Sequence, residues 1–187
     1  FDREKKIIDN ESEKLFSKFK VILKDFDVVI FSDYDKGVLE QIEKFIDFCK
    51  NSNLPVVIDP KQSNYLKYKG ASLLTPNFKE FEQMVGKVKN EADIKKKGLE
   101  LLCKLGLEGL LITRGEKGIT LIEQNGKITN NDSLALDVYD ITGAGDTLIA
   151  ITSAGIASGL SFKESVLLAN FAAGKVVSKF GTAAITI

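Results

Sequence analysis

Apolar residues recur along this chain with two alternating periods, one helical and one extended. Leu15, Phe16, Phe19, Ile22 and Leu23 in "ESEKLFSKFKVILKDF" fall at helical spacing, and "DVVIF" follows as a short β-branched strand. Helical period returns in "GVLEQIEKFIDFCKNS". The strand-like runs "LPVVIDP" and "ASLLTP" come next, closed by Pro60 and Pro76. "KEFEQMVG" predicts a short helix with Gly86 at its C-terminal end. "NEADIKKKGLELLCKLG" predicts a longer one, capped by Asn90 and ending near Gly106. "GLLITRG" reads as a fourth strand, and "GITLIEQNGKIT" as a strand and hairpin with Asn125-Gly126 as a type I′ turn signal. "LALDVYD" is a further extended piece. Two helices close the pattern, "GAGDTLIAITSAGIASG" and "SFKESVLLANFAAGKVVSKFG", the second opening on the capping box Ser161–Glu164.

Strands that alternate with helices and are apolar almost throughout predict an α/β fold whose sheet is covered on both faces. The hairpin adds an antiparallel edge. No internal repeat or linker interrupts residues 1–187, so one continuous domain is the expected organisation.

Composition narrows the chemistry. The chain has 187 residues, 44% of them hydrophobic, enough for a sizeable core. Basic and acidic residues balance at 26 each, so no general basic field points to nucleic acid or an anionic membrane, and Lys95, Lys96 and Lys97 read as a solvated helix face. Histidine is absent, which removes His-based triads and imidazole zinc sites and leaves Asp, Glu, Lys, Tyr or Cys as general bases. Cys49 and Cys103 lie in helical patterns without a C-x-x-C and are expected to be small buried hydrophobes of a reducing cytoplasm. No run approaches the roughly 20 apolar residues of a membrane span. The first residue is Phe1, and the charged opening "FDREKKIIDNESEK" is read as the start of a piece of a longer protein.

The strongest chemical signal is "YDITGAGDTLIA". Gly143, Ala144 and Gly145 carry almost no side chain and stand where a helix begins. Their N–H groups can therefore gather an anion, most naturally phosphate. Asp146 lies in the same first turn, where negative charge is favoured, and can accept a proton from an alcohol. An anion cradle beside a base suits phosphoryl transfer to a hydroxyl. The same residues also fit a plain tight turn and helix cap. The Walker pattern G-x-x-x-x-G-K-[ST] is absent.

"DITGAGDT" resembles the C-terminal signature D-T-x-G-A-G-D of the ribokinase-like (PfkB) carbohydrate kinases, with Ile141 at the second position. "TPNFKE", "ITRGEKG" and "ANFAAG" follow that family's order of landmarks. "SDYDKG", "VIDPKQSNYLKYKGASLLTPNFKEFEQMVG" and "ANFAAGKVVSKFGTAAIT" are similar to the heptose 7-phosphate kinase branch, the kinase part of bifunctional heptose kinase/adenylyltransferases. The resemblance implies a three-layer αβα sandwich, here without its N-terminal half and lid. It implies phosphorylation of D-glycero-β-D-manno-heptose 7-phosphate at C1, with ATP and Mg²⁺ and a candidate monovalent cation, in the cytoplasm, with neither nucleic acid nor membrane as partner and with a homodimer as the candidate assembly.

Carried onto this sequence, the resemblance makes Asp146 the catalytic base and Gly143, Ala144 and Gly145 the anion hole. Asn77, Phe78, Lys79, Glu80, Thr113, Gly115 and Asn170 become nucleotide-side residues, Glu80 holding the magnesium through water. Arg114 belongs to the same turn as Thr113 and Gly115. Ala173 and Gly174 leave room for the base, and Asp140 and Thr142 neighbour the monovalent cation. Each position has a plainer alternative. Asn77 can simply cap its helix, Gly115 and Gly118 can serve left-handed turn conformations, and Asn170 can bond a neighbouring loop. Asp33, Lys36 and Lys61 either face the sugar or phosphate or are ordinary strand-end and loop charges.

Overall fold

The computed structural model describes residues 9–34, 36–61, 64–133 and 143–177. Six helices and six strands follow in chain order: α1 (Asp9–Ile22), β1 (Val29–Ser32), α2 (Ile42–Asn51), β2 (Val56–Asp59), β3 (Leu73–Leu74), α3 (Phe78–Val85), α4 (Glu91–Leu105), β4 (Gly109–Thr113), β5 (Ile119–Glu123), β6 (Ile128–Asn131), α5 (Ala144–Ala157) and α6 (Phe162–Val177). The strands form one sheet in the order β1-β2-β3-β4-β5-β6. β1 to β4 run parallel, and β5 and β6 are added antiparallel. The expected mostly parallel sheet with an antiparallel hairpin at its edge is therefore observed.

Alternation along the strands divides the core in two. Val29, Phe31, Val56, Ile58, Leu74, Leu110, Ile112 and Ile122 face α2, α3 and α4, with Phe16 and Phe19 of α1 packed on that side. Val57, Leu73, Leu111, Ile119 and Leu121 face Leu148 and Ile149 of α5 and Val166 and Ala169 of α6. Helices thus cover both faces, which explains why β2, β4 and β5 read as unbroken apolar runs. Among the described residues, no helix is long and apolar enough to cross a membrane.

The expected helix ends are present. Asn90 Oδ1 accepts from Asp93 N, Gly106 takes a left-handed conformation after α4, and Ser161 and Glu164 bond reciprocally at the start of α6. The hairpin differs from the type I′ expectation. Gly126 takes φ +80°, but Asn53 is the only non-glycine with positive φ among the described residues, so Asn125 does not. Gly126 N donates to Glu123 O and Lys127 N to Asn125 Oδ1, giving the three-residue hairpin in which one glycine follows an ordinary turn. The segment read as "LALDVYD" lies outside the described residues.

Cys103 departs from its expectation too. Cys49 is buried, but Cys103 is exposed, because α4 turns Ile94, Gly98, Leu101, Leu102 and Leu105 inward and leaves Cys103 outside. Burial pushes the Cys49 thiol up to about 11. Titration of the native protein with a thiol reagent at pH 8 should modify Cys103 rapidly and Cys49 only on unfolding. Equal rates at the two sites would contradict this packing.

Candidate active site

The C-terminal ends of the parallel strands collect the polar residues, as open α/β sheets do at their ligand edge. Asp59 continues the Val57 face of β2, and Thr113 continues the Leu111 face of β4, so both belong to the side covered by α5 and α6. Asn77 bridges to Thr113. α5 begins on this same side. Gly143, its N-cap, has φ +80° and offers no capping side chain. Thr147 N is the first helical donor, bonding Gly143 O at 2.9 Å, so the N–H groups of Ala144, Gly145 and Asp146 have no partner within the helix. Gly145 and Asp146 are exposed rather than sealed in the interior.

Asp59, Lys61, Glu80 and Asp146 make up the charged part of the edge. Lys61 Nζ lies 3.4 Å from Asp59 Oδ1 and 3.6 Å from Glu80 Oε1, and Ser32 Oγ donates to Asp59 Oδ2 at 3.1 Å. Glu80's other oxygen accepts from Asn77 N at 2.8 Å, while Asn77 Oδ1 accepts from Glu80 N at 2.9 Å. Asn77 and Glu80 therefore close a capping box on α3, the plainer of their alternatives, and that box also fixes the Glu80 carboxylate toward Lys61.

Burial raises the Asp59 carboxyl above its ordinary range. Lys61 and Ser32 oppose the shift, and the negative charge of Asp146 adds to it. Burial alone would lower Lys61, but the charges of Asp59 and Glu80, the bond to Asp59 and nearby Tyr34 hold it above the ordinary lysine range. A carboxyl raised in the folded state favours folding most when protonated, and this contribution is lost as pH rises through the folded value. Asp59→Asn is therefore expected to raise the melting temperature at pH 7 relative to wild type. The difference should shrink as pH falls through the carboxylate range. A variant less stable than wild type at pH 7 would show that the Asp59–Lys61 attraction outweighs burial.

The remaining expected residues divide. Thr113 and Gly115 lie at this edge, Gly115 exposed with φ +59°. Lys79 is exposed, whereas Phe78 packs against the core on the α2–α4 side. Arg114 alternates to that side as well. Its guanidinium pairs with Glu91 at the start of α4 and reaches Thr120 Oγ1 at 3.1 Å, away from Asp59 and Asp146. Asn170 is buried and donates from Nδ2 to Asp132 O at 2.9 Å, fastening the chain after β6 to α6. Ala173 and Gly174 follow on α6, both half-buried. Asp140 and Thr142 lie outside the described residues. Sequence reasoning passed over Asp59 and Ser32, although a carboxylate closing a parallel strand just before Pro60 was a usable signal.

The model of the pfkB family carbohydrate kinases matches residues 2–187. The chain belongs to this family. It is 44% identical over 176 residues to the "Bifunctional protein HldE" of Haemophilus influenzae (strain PittEE), covering 94% of this chain and 37% of that protein. It thus spans little more than a third of the curated relatives it matches. Its fold is that of Arabidopsis thaliana ribokinase complexed with ribose and ATP (TM-score 0.74, 24% identity, 95% of this chain and 55% of the other). It is also that of Escherichia coli phosphofructokinase-2 in complex with potassium (TM-score 0.79, 16% identity, 95% and 59%). The expected ribokinase-like sandwich and family are thereby established.

Proposed function

We propose that this chain is the C-terminal portion of a cytoplasmic sugar kinase that transfers the γ-phosphoryl of ATP to the C1 hydroxyl of D-glycero-β-D-manno-heptose 7-phosphate. The observation that carries the reading is the 44% identity to HldE over 94% of the chain. An exposed Asp146 on the uncapped first turn of α5 supports the chemistry. In this reading the N–H groups at Gly143, Ala144 and Gly145 take up charge on the phosphoryl in transit, and Asp146 removes the proton of the attacking hydroxyl. Asn77, Lys79, Glu80, Thr113 and Gly115 border the nucleotide, with Phe78 and Asn170 shaping the site from behind.

Glu80 and Asp59 already hold an ammonium between two carboxylates, a donor set that suits a hard cation. Mg²⁺ held there, through water at Glu80, would supply neutralisation of phosphate charge. The test is ADP release by the full-length protein with this heptose 7-phosphate, compared with ribose and fructose phosphates. Turnover of the heptose substrate is expected. Turnover of only the others would move the protein to a different branch of the family. Light scattering of the same protein tests the homodimer.

A further inference from the structure

Among the described residues, Asp33 and Lys67 form a charged pair buried as deeply as the core. Lys67 Nζ lies 2.5 Å from Asp33 Oδ2, and the two side chains keep 5% and 3% exposure. Tyr68, fully buried, donates its hydroxyl to the same oxygen at 2.8 Å, and the Lys67 ammonium lies 5.4 Å from the Tyr68 ring centroid. Lys67 and Tyr68 belong to the 3₁₀ turn Tyr65–Tyr68, while Asp33 is the first residue beyond β1.

Stability alone does not account for this choice. Taking two ions out of water costs several kcal/mol each, and apolar side chains of similar volume often serve as well or better. The pair does fix the direction of the chain as it leaves β1. Asp33 N donates to Asp59 O at 3.0 Å, carrying the β1–β2 ladder one residue past the strand. Ser32, just before it, bonds the Asp59 carboxylate. One buried carboxylate thus ties the 3₁₀ turn to the stretch of chain that bonds Asp59 through Ser32 Oγ and the Asp33 amide.

We propose that Asp33, Lys67 and Tyr68 form a buried strut that sets the chain path at Ser32 and Asp33. Lys67 is then a positioning residue for phosphoryl transfer. It does not touch substrate, and it holds Asp59 in register with Asp146. The inference rests on the kinase reading above for its effect on turnover, but not for its effect on structure.

The test replaces all three groups together in the full-length protein, Asp33→Leu with Lys67→Met and Tyr68→Phe, so that none of the three is left buried without the other two. The melting temperature should stay at or above that of wild type, and the backbone amide at position 33 should be less protected from deuterium exchange. Turnover should fall by about tenfold or more, since small misplacements of a reacting geometry are costly. Nucleotide affinity should stay within about twofold. Wild-type turnover in a folded triple variant, or unchanged protection of the amide at position 33, would overturn the strut. If the triple variant does not fold, Tyr68→Phe alone decides, because it keeps both charges and removes one bond. Faster exchange with turnover down by several-fold is expected, and wild-type values for both would overturn the proposal. A wild-type protein that turned over no sugar would instead defeat the kinase reading, leaving exchange at Asp33 as the measure of the strut.

Discussion

Asp146→Asn in the full-length protein is expected to lower turnover by at least ~100-fold, the usual scale of general-base help. Nucleotide affinity should stay roughly unchanged. The two halves of this expectation come from different atoms. Asparagine keeps the size of the side chain and leaves the first-turn N–H groups of α5 where they are, so the anion cradle around Gly143–Gly145 survives. What it loses is the capacity to take a proton. Asp146 is exposed and its side chain is outside the core, so its replacement should not disturb packing. Steady-state kinetics together with equilibrium nucleotide binding separate the outcomes. A parallel loss of binding and turnover would assign Asp146 to holding the ligand. Unaltered turnover would remove it from the chemistry.

Most of the fold was legible because periodicity and burial report the same physical fact. β2, β4 and β5 are buried on both faces, so their apolar runs could not be mistaken for half-exposed strands. Helix ends were legible where a single residue type is required, as at Asn90, Gly106 and Ser161. The hairpin type was not, because Asn-Gly suits two turn geometries and the choice is made by which residue must take positive φ. In the candidate site, the small-residue turn that opens α5 was readable as a local word, "TGAGD". The groups around it depend on partners far apart in the chain. Lys67 sits in "NYLKYKG", where no local pattern marks a buried cation, and only the parallel pairing of β1 with β2 brings Asp33 to it. Arg114 shows the converse: a residue inside a family landmark whose strand alternation turns it away from the cleft.

The same landmark contains the position where a single methyl group should do most harm to the fold. Gly118→Ala is expected to destabilise the protein by about 3 kcal/mol or more, the upper range for a residue forced into a sparsely allowed conformation. Gly118 has φ +74° and ψ −131°, a region open essentially to glycine. A Cβ there would stand 2.0 Å from Asn131 O and 2.6 Å from Asp132 C and Ser133 N, all backbone, so no side-chain rotation relieves the contact. The chain must separate β5 from β6 at the point where Thr113 and Ile119 pair and where Asn131 opposes Ile119. The displacement would also pull on Asp132, whose carbonyl Asn170 holds. For a chain of this size the melting temperature should fall by roughly 6–12 °C. Gly115→Ala and Gly126→Ala are the controls, since both have positive φ but no atom within 4 Å of the added Cβ. Each should cost only about 1–2 kcal/mol, the penalty for a left-handed L-residue. A Gly118 variant no worse than these two would mean that the β5–β6 hairpin yields easily, and that the carbonyl clash is not what restricts this position to glycine.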